Sequence, residues 1–260
     1  MASREFRTAG VDLASQDDRT ALAEITWASG GAMLESARMG VANDAIVAAA
    51  HRVSMVGIDC PIGWPTAFTD LLIAARGGSV AADTGVDDAA RRRLAFRLTD
   101  RVVRVETGRW PLSVSADRIA YPAMRCAGLL ARVAQAGMTV RRSGIDSRIA
   151  EVYPAAAMRI WELPTAGYKT NRSARIALVA AVAAHTPWLA WGDARDACIE
   201  TADVLDAVIC AVVAGAVMAG RTSGPGLDDV AIADEEGWIH LPDADFLRRP
   251  FVDPTRDPDC

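Results

Sequence analysis

Five acidic residues stand where a predicted strand ends or where a buried helix begins. They are Asp12, Asp59 and Glu151 at strand ends, and Asp203 and Asp206 on a late helix. Residues three apart on a helix share a face, so Asp203 and Asp206 point in the same direction. Carboxylates that crowd together stay ionised only if cations compensate their charge. Hard divalent cations such as Mg²⁺ or Mn²⁺ bind oxygen ligands, and two such ions about 3.5–4 Å apart can hold the attacking and leaving oxygens of a phosphodiester.

Two interpretations of Asp12 are open, a metal-binding carboxylate and an ordinary turn residue. Gly10 permits close backbone approach before it, and Ala14 and Ser15 leave room for a ligand after it. The same residues fit a plain turn after a strand, as in many α/β proteins. The choice between these interpretations depends on whether the chain brings the other acids to Asp12.

The first 60 residues predict the elements that would position these acids. Antiparallel strands are predicted at 6–13, 21–27 and 32–39, and a buried strand at 55–59. A helix is predicted at 44–52, with Asn43 as its cap. Residues 149–154 return to strand character and predict a fifth strand, with Glu151 as the acid at its end. If the first, fourth and fifth strands run parallel, their carboxyl ends meet at one edge of the sheet, where ligands collect in open α/β folds. Asp12, Asp59 and Glu151 would then converge there.

Residues 66–148 show long helical patterns and few strand signals, which predicts a helical insertion. One predicted helix runs from Asp87 to Val105 and carries four arginines on one face: Arg93, Arg97, Arg101 and Arg104. Residues 91–109 contain seven Arg and two acids, so they carry +5 while the rest of the chain carries −10. This arginine stripe either binds a polyanion or is a solvated helix face with salt bridges.

The last third of the chain predicts further helices around the late acids. Pro154 starts a helix after the fifth strand, and Lys169 lies in a loop. A single helix is predicted from Arg195 to Ala219, and its apolar second half must pack against the sheet. Residues 230–241 predict a closing hairpin, and the chain after Pro250 is predicted to be loose.

Composition narrows the class of protein. With 51% apolar and 23% charged residues, the 260-residue chain has ample material for a core. The net charge of −5 disfavours sequence-blind coating of nucleic acid but not a local basic cleft. Five widely spaced Cys without a CxxC pair predict reduced thiols in the cytoplasm, and no apolar run is long enough to span a bilayer. The chain has no GxSxG, Walker or GxGxxG motif.

This order of strands and acids resembles the ribonuclease H-like fold, as used by RuvC-type resolvases. More closely, the chain resembles the DUF429 family, whose members are predicted to be nucleases of that fold. The matching segments span residues 10 to about 241 and are Gly10-Val11-Asp12, Gly57-Ile58-Asp59-Cys60-Pro61-Ile62-Gly63, Arg97-Leu98-Thr99-Asp100, Glu151-Val152-Tyr153-Pro154, Tyr168-Lys169 and Asp203-Val204-Leu205-Asp206-Ala207. The resemblance implies the fold and a metal site, and much less about the substrate.

We therefore predict one α/β domain over residues 1–260, a ribonuclease H-like mixed sheet with a helical insertion at about 66–148. The predicted function is phosphodiester hydrolysis that depends on divalent metal, with two Mg²⁺ or Mn²⁺ ions. One rival is a phosphohydrolase or phosphotransferase that acts on a nucleotide or other small molecule in the same fold. The other is a non-catalytic module that binds nucleic acid or a protein.

The predicted site residues fall into two groups. Five acids are assigned to metal, with Asp12, Asp59 and Asp206 as the catalytic set and Asp203 and Glu151 as outer ligands. Three cations are predicted to bind phosphate as charge-assisted donors: Arg97, Arg101 and Lys169.

Overall fold

A mixed sheet of eight strands organises residues 5–250, the part of the chain that the computed structural model describes. The strands are β1 (Phe6–Asp12), β2 (Ala21–Ala28), β3 (Gly31–Met39), β4 (Met55–Asp59), β5 (Ile149–Val152), β6 (Leu189–Ala190), β7 (Thr222–Ser223) and β8 (Ile239–Pro242). Their order across the sheet is β6-β3-β2-β1-β4-β5-β8-β7. Strands β1, β4, β5 and β8 run parallel, whereas β2 is antiparallel to β1 and β3. This confirms the predicted α/β fold, and the sheet is consistent with a ribonuclease H-like one.

Helices cover both faces of the sheet in the described residues. They are α1 (Asn43–Arg52), α2 (Thr66–Gly77), α3 (Asp88–Ala95), α4 (Leu98–Thr107), α5 (Ala120–Gln135), α6 (Pro154–Ile160), α7 (Arg172–His185), α8 (Ala194–Glu200), α9 (Ala202–Met218) and α10 (Val230–Glu236). Helices α2 to α5 lie between β4 and β5 in the chain, where the insertion was expected. No helix within residues 5–250 is long and apolar enough to cross a membrane.

The two faces of β1 and β4 meet different helices because side chains alternate along a strand. Val11 and Ile58 pack with α1 and α5 in one apolar cluster. The opposite face carries Gly10 and Gly57, and α9 lies directly on them. A Cβ atom at Gly10 would stand 2.0 Å from the Ala207 carbonyl oxygen, so only glycine lets the helix approach this closely.

The predicted helix from Asp87 to Val105 is two helices in the structure. Helix α3 ends at Ala95, Phe96 is extended, and α4 starts at Leu98 with Arg97 as its cap. The Arg97 N–H donates to Asp100 Oδ2 at 2.8 Å, which satisfies one of the free N–H groups at the start of α4. The break turns Arg97 into the interior while Arg101 stays exposed, so the prediction of one shared arginine face was wrong.

Three other local predictions were also wrong. The helix predicted from Arg195 to Ala219 divides at Thr201, whose hydroxyl accepts a 3.1 Å hydrogen bond from the Asp203 N–H and so caps α9. The hairpin predicted at 230–241 is α10 followed by β8, which pairs with β5. Asn43 does not cap α1, because its side chain accepts from Arg125 Nε at 2.9 Å. The tail after Pro250 lies outside the described residues.

Candidate active site

Strands β1 and β4 bring Asp12 and Asp59 side by side. The two residues are partners in the parallel register, and neighbouring strands lie about 4.8 Å apart. Both side chains belong to the face that carries Gly10 and Gly57, because residues two apart in a strand share a face. Both are half-buried. The predicted convergence of the first two acids is therefore built into the register of the sheet.

Helix α9 brings Asp206 to the same place. Its close approach over Gly10 and Gly57 carries Asp206, which is 1% exposed, into electrostatic range of both strand carboxylates. The Tyr168 hydroxyl donates to Asp206 Oδ1 at 2.9 Å, and the Lys169 ammonium donates to Oδ2. Asp12, Asp59 and Asp206 are called the open carboxylate cluster below.

The loop that carries Tyr168 and Lys169 is held in place by Arg175 of α7. The Arg175 guanidinium donates to the Tyr168 carbonyl at 2.8 Å, and to the carbonyls of Ile199 and Glu200 at 2.6 and 3.0 Å. These bonds tie the loop to the end of α8, directly before α9 begins. Sequence reasoning missed this role, because an arginine on a helix with no charged partner nearby usually marks a solvated face.

Lys169 is the only lysine in the sequence. Its side chain is about half exposed, with a relative exposure of 52%, and burial would lower its pKa, but the charges of Asp206, Asp12 and Asp59 outweigh burial and raise it. The ammonium therefore stays charged and compensates part of the cluster. A single lysine in an arginine-rich chain is visible in the sequence and marks this position as unusual.

The acids of the open carboxylate cluster carry more negative charge than Lys169 balances. Burial, followed by the charges of Asp59 and Asp206, raises the pKa of Asp12 to about 9. Burial and the charge of Asp206 raise the pKa of Asp59 to about 7. Burial also raises the pKa of Asp206, although Lys169 and Tyr168 oppose it. The cluster thus holds protons at neutral pH unless a further cation enters.

The donor chemistry of the open carboxylate cluster fits a divalent cation. Neither the Asp12 nor the Asp59 carboxylate accepts a hydrogen bond from any residue within 5–250. Half-buried carboxylates without donors are costly, and Mg²⁺ or Mn²⁺ would supply the missing charge to oxygen ligands. As the side chains stand, no three Asp, Glu, His or Cys side chains in the described chain enclose a metal position. The Lys169 ammonium lies at the cluster instead.

Asp203 stands at the edge of the open carboxylate cluster. It lies in the first turn of α9, its negative charge adds to the rise in the pKa of Asp12, and Arg19 Nη2 is 3.8 Å from its Oδ2 atom. Its side chain is partly exposed. The outer position predicted for Asp203 agrees with this placement, and its metal-binding role stays a prediction.

Glu151 faces the other side of the sheet. Its register partner is Ile58, the neighbour of Asp59, so its side chain points away from α9. Both Glu151 oxygens accept from the Arg97 guanidinium, each at 2.7 Å, and Oε2 also accepts from the Ile62 N–H at 3.1 Å. Both oxygens of Glu151 are therefore engaged away from Asp12 and Asp59, and the geometry does not support its predicted role as a ligand of a metal at the open carboxylate cluster.

Arg97 is enclosed between Glu151 and Asp100 and is 1% exposed. Burial lowers the pKa of Arg97, but the charges of Glu151 and Asp100 outweigh it, so the guanidinium stays ionised. The geometry does not support the predicted phosphate-binding role of Arg97, because no part of its guanidinium is free. Arg101 is exposed, and its guanidinium donates to the Phe96 carbonyl at 3.5 Å. Of the three predicted cations, Lys169 reaches the open carboxylate cluster.

One comparison with known proteins gives a match, at the level of a family. A search of curated proteins found no match, and a search of solved structures found none. A family model described as a protein of unknown function, DUF429, matches residues 10–230. Because the match covers most of its length, the chain belongs to the DUF429 family.

Proposed function

We propose that this protein hydrolyses phosphodiesters with the help of a divalent cation. The observation that carries the proposal is the pairing of Asp12 and Asp59. Two half-buried carboxylates are register partners on adjacent strands, lack any hydrogen-bond donor among residues 5–250, and are backed by the buried Asp206. Strand ends in a parallel sheet are the usual place for a ligand site in such folds.

Each group of the open carboxylate cluster has a separate role in this proposal. Asp12 and Asp59 would hold Mg²⁺ or Mn²⁺, with Asp206 completing the set. The bound cation supplies charge for the phosphate and activates water at neutral pH. Lys169 opposes the rise in the pKa of Asp206 and, with its partly exposed ammonium, would donate a hydrogen bond to a phosphate oxygen. Tyr168 and Arg175 orient these groups from behind.

A small nucleotide substrate is a second candidate, and the placement of Arg97 favours it. A polynucleotide groove needs several free cations along its length. The arginine stripe predicted for that purpose is interrupted, because Arg97 is buried against Glu151 and Asp100. A mononucleotide or another small phosphodiester needs fewer cations, and Lys169 with the bound metal would supply them.

Hydrolysis of bis(p-nitrophenyl) phosphate, which has no sequence or strand requirement, tests the proposed chemistry. With Mn²⁺ we expect turnover that EDTA abolishes and that Asp59→Asn lowers by at least about 100-fold, since a metal ligand is lost. Asp44→Asn is the matched control, because this acid is exposed on α1 and pairs with Arg132, away from the open carboxylate cluster. Turnover that survives EDTA, or that Asp59→Asn leaves unchanged, would contradict the proposal.

A further inference from the structure

A cavity of about 160 Å³ opens beside Asp59, at the carboxyl ends of β4 and β5. Most of its wall is apolar and comes from Pro61, Leu112, Ile119, Val152 and Ile239. Asp59 belongs to the wall as well, so the cavity adjoins the open carboxylate cluster. A group bound in the cavity would therefore lie next to a ligand held by Asp59.

Tyr153 supplies a polar group to this apolar wall. Its ring packs against Val103, Ala156, Ile239 and Leu241, which fixes its position. Its hydroxyl has no hydrogen-bond partner within residues 5–250. The wall also contains Arg97 and Glu151, whose guanidinium and carboxylate are hydrogen-bonded to each other. The hydroxyl of a half-buried tyrosine usually finds a partner, so a ligand that fills the cavity should offer it one.

The size of the cavity restricts the occupant. Pockets that bury a whole drug-sized ligand measure about 300–1,000 Å³, and one water takes up about 30 Å³ in the liquid. A cavity of about 160 Å³ thus admits one flat ring system and no more. Its apolar surface suits the faces of such a ring, and Tyr153 suits a hydrogen-bonding group on its edge.

We propose that this cavity is a base subsite, which takes the unpaired nucleobase of a nucleotide whose phosphate lies at the open carboxylate cluster. This inference rests on the proposed function and names its substrate class. A base inside a duplex must leave the stack before it can enter such a cavity. The subsite therefore selects mononucleotides or single strands over duplexes, which agrees with the interrupted arginine stripe.

Nucleosides test the subsite without phosphate and without metal. We would titrate the full-length protein with adenosine and uridine, and with ribose as the ring-free control, by ligand-observed NMR. We expect at least one nucleoside to bind about tenfold or more tightly than ribose, since stacking on apolar side chains adds affinity. Tyr153→Phe removes only the hydroxyl and should weaken that binding about fivefold.

Leu112 offers a second variant with a matched control. It is 49% exposed at the cavity, so Leu112→Asn should leave the fold intact and weaken nucleoside binding about fivefold. Leu227→Asn changes another exposed leucine, 96% exposed and outside the cavity, and should leave binding unchanged. If neither nucleoside binds more tightly than ribose, or if Tyr153→Phe and Leu112→Asn both bind as the wild type does, the base subsite is refuted.

The response to Mn²⁺ in the same samples separates this inference from the proposed function. A normal rise in melting temperature with Mn²⁺, together with no nucleoside binding, rejects the subsite and leaves the metal chemistry standing. Nucleoside binding that responds to the variants, without any rise in melting temperature, supports the subsite and rejects the metal chemistry.

Discussion

Two groups of acids meet cations at the same edge of the sheet, on opposite faces of it. On one face, Glu151 and Asp100 enclose Arg97, and all three are at most 2% exposed. On the other face, the open carboxylate cluster has the partly exposed Lys169 as its cation, and two of its carboxylates accept no hydrogen bond within residues 5–250. The first group is closed, with its cation hydrogen-bonded to both carboxylates, whereas the second is open and has three carboxylates for one partly exposed ammonium.

The difference shows how to separate a structural charge from a functional one. A buried ion is tolerated when its partner and hydrogen bonds satisfy it fully, and the Arg97 group meets that condition. It fastens the start of α4, through Arg97 and Asp100, to β5. The open carboxylate cluster fails the same condition, because two of its carboxylates accept no hydrogen bond within residues 5–250. We therefore expect a bound cation to supply the missing partner. Breaking each group should therefore have opposite consequences for stability and for activity.

The largest expected effect on stability is in the closed group. Arg97→Met leaves Glu151 and Asp100 buried without their cation, and we expect a loss of about 3–5 kcal/mol in the free energy of unfolding. Arg101→Met is the matched control on the same helix, and its exposed side chain should change stability by less than about 0.5 kcal/mol. Urea denaturation measures both. Equal losses for the two variants would remove the distinction between the groups.

Asp12→Asn should have the opposite signature. We expect metal-dependent hydrolysis to fall by at least about 100-fold while the fold stays intact. Because one of several crowded carboxylates is removed, the metal-free variant should melt at the same temperature as the wild type or higher. Its melting temperature should no longer rise with Mn²⁺. A variant that keeps full activity would exclude Asp12 from the site.

Lys169 compensates the same carboxylates that we propose as metal ligands, so the lysine and a metal ion should compete. Lys169→Met removes a positive charge beside Asp206, and we expect Mn²⁺ to bind about three- to tenfold more tightly. Turnover should nevertheless fall, because the phosphate loses its donor. Lys169→Arg keeps the charge and serves as the control in calorimetric titrations. Weaker Mn²⁺ binding in Lys169→Met would mean that the lysine supports the metal instead of competing with it.

The last expected effect concerns the pH dependence of stability. The folded, metal-free protein keeps a proton on Asp12 up to about pH 9, whereas an unfolded Asp releases it near pH 4. The stability that the protonated Asp12 contributes is thus fully present below about pH 4 and is lost as the pH rises towards 9. Between about pH 6 and 9, the melting temperature of the wild type should therefore fall more steeply than that of Asp12→Asn, which has no such proton to lose. Parallel curves would show that Asp12 is not perturbed.

Sequence patterns were enough to predict the sheet and the placement of the three acids of the open carboxylate cluster. Strand ends placed Asp12 and Asp59 at one edge, and the apolar half of the late helix placed Asp206 against the sheet. These predictions rest on periodicity and burial, which act locally and leave a clear trace in the residue order. The parallel register of β1 and β4 then fixes the pair.

The predictions that the structure does not support concern contacts between distant parts of the chain, which the order of residues does not determine. Glu151 ends a strand as predicted, but its register against Ile58 decides which face it occupies, and register depends on the partner strand. Arg97 fits a helical period, yet it is the cap of α4. Its pairing with the distant Glu151 holds its side chain in the interior. Tyr168 and Arg175 act through a loop that only the packing of α7 against α8 defines.

Anomalous diffraction from crystals soaked in Mn²⁺ tests the central claim most directly. The soak should be carried out at mildly alkaline pH, where a proton competes less for Asp12 than at neutral pH. We expect an anomalous peak bonded to oxygens of Asp12 and Asp59, with Asp206 within reach of it, and none at Glu151. A map without a peak at Asp12 and Asp59, or with its only peak on the Glu151 side of the sheet, would contradict it.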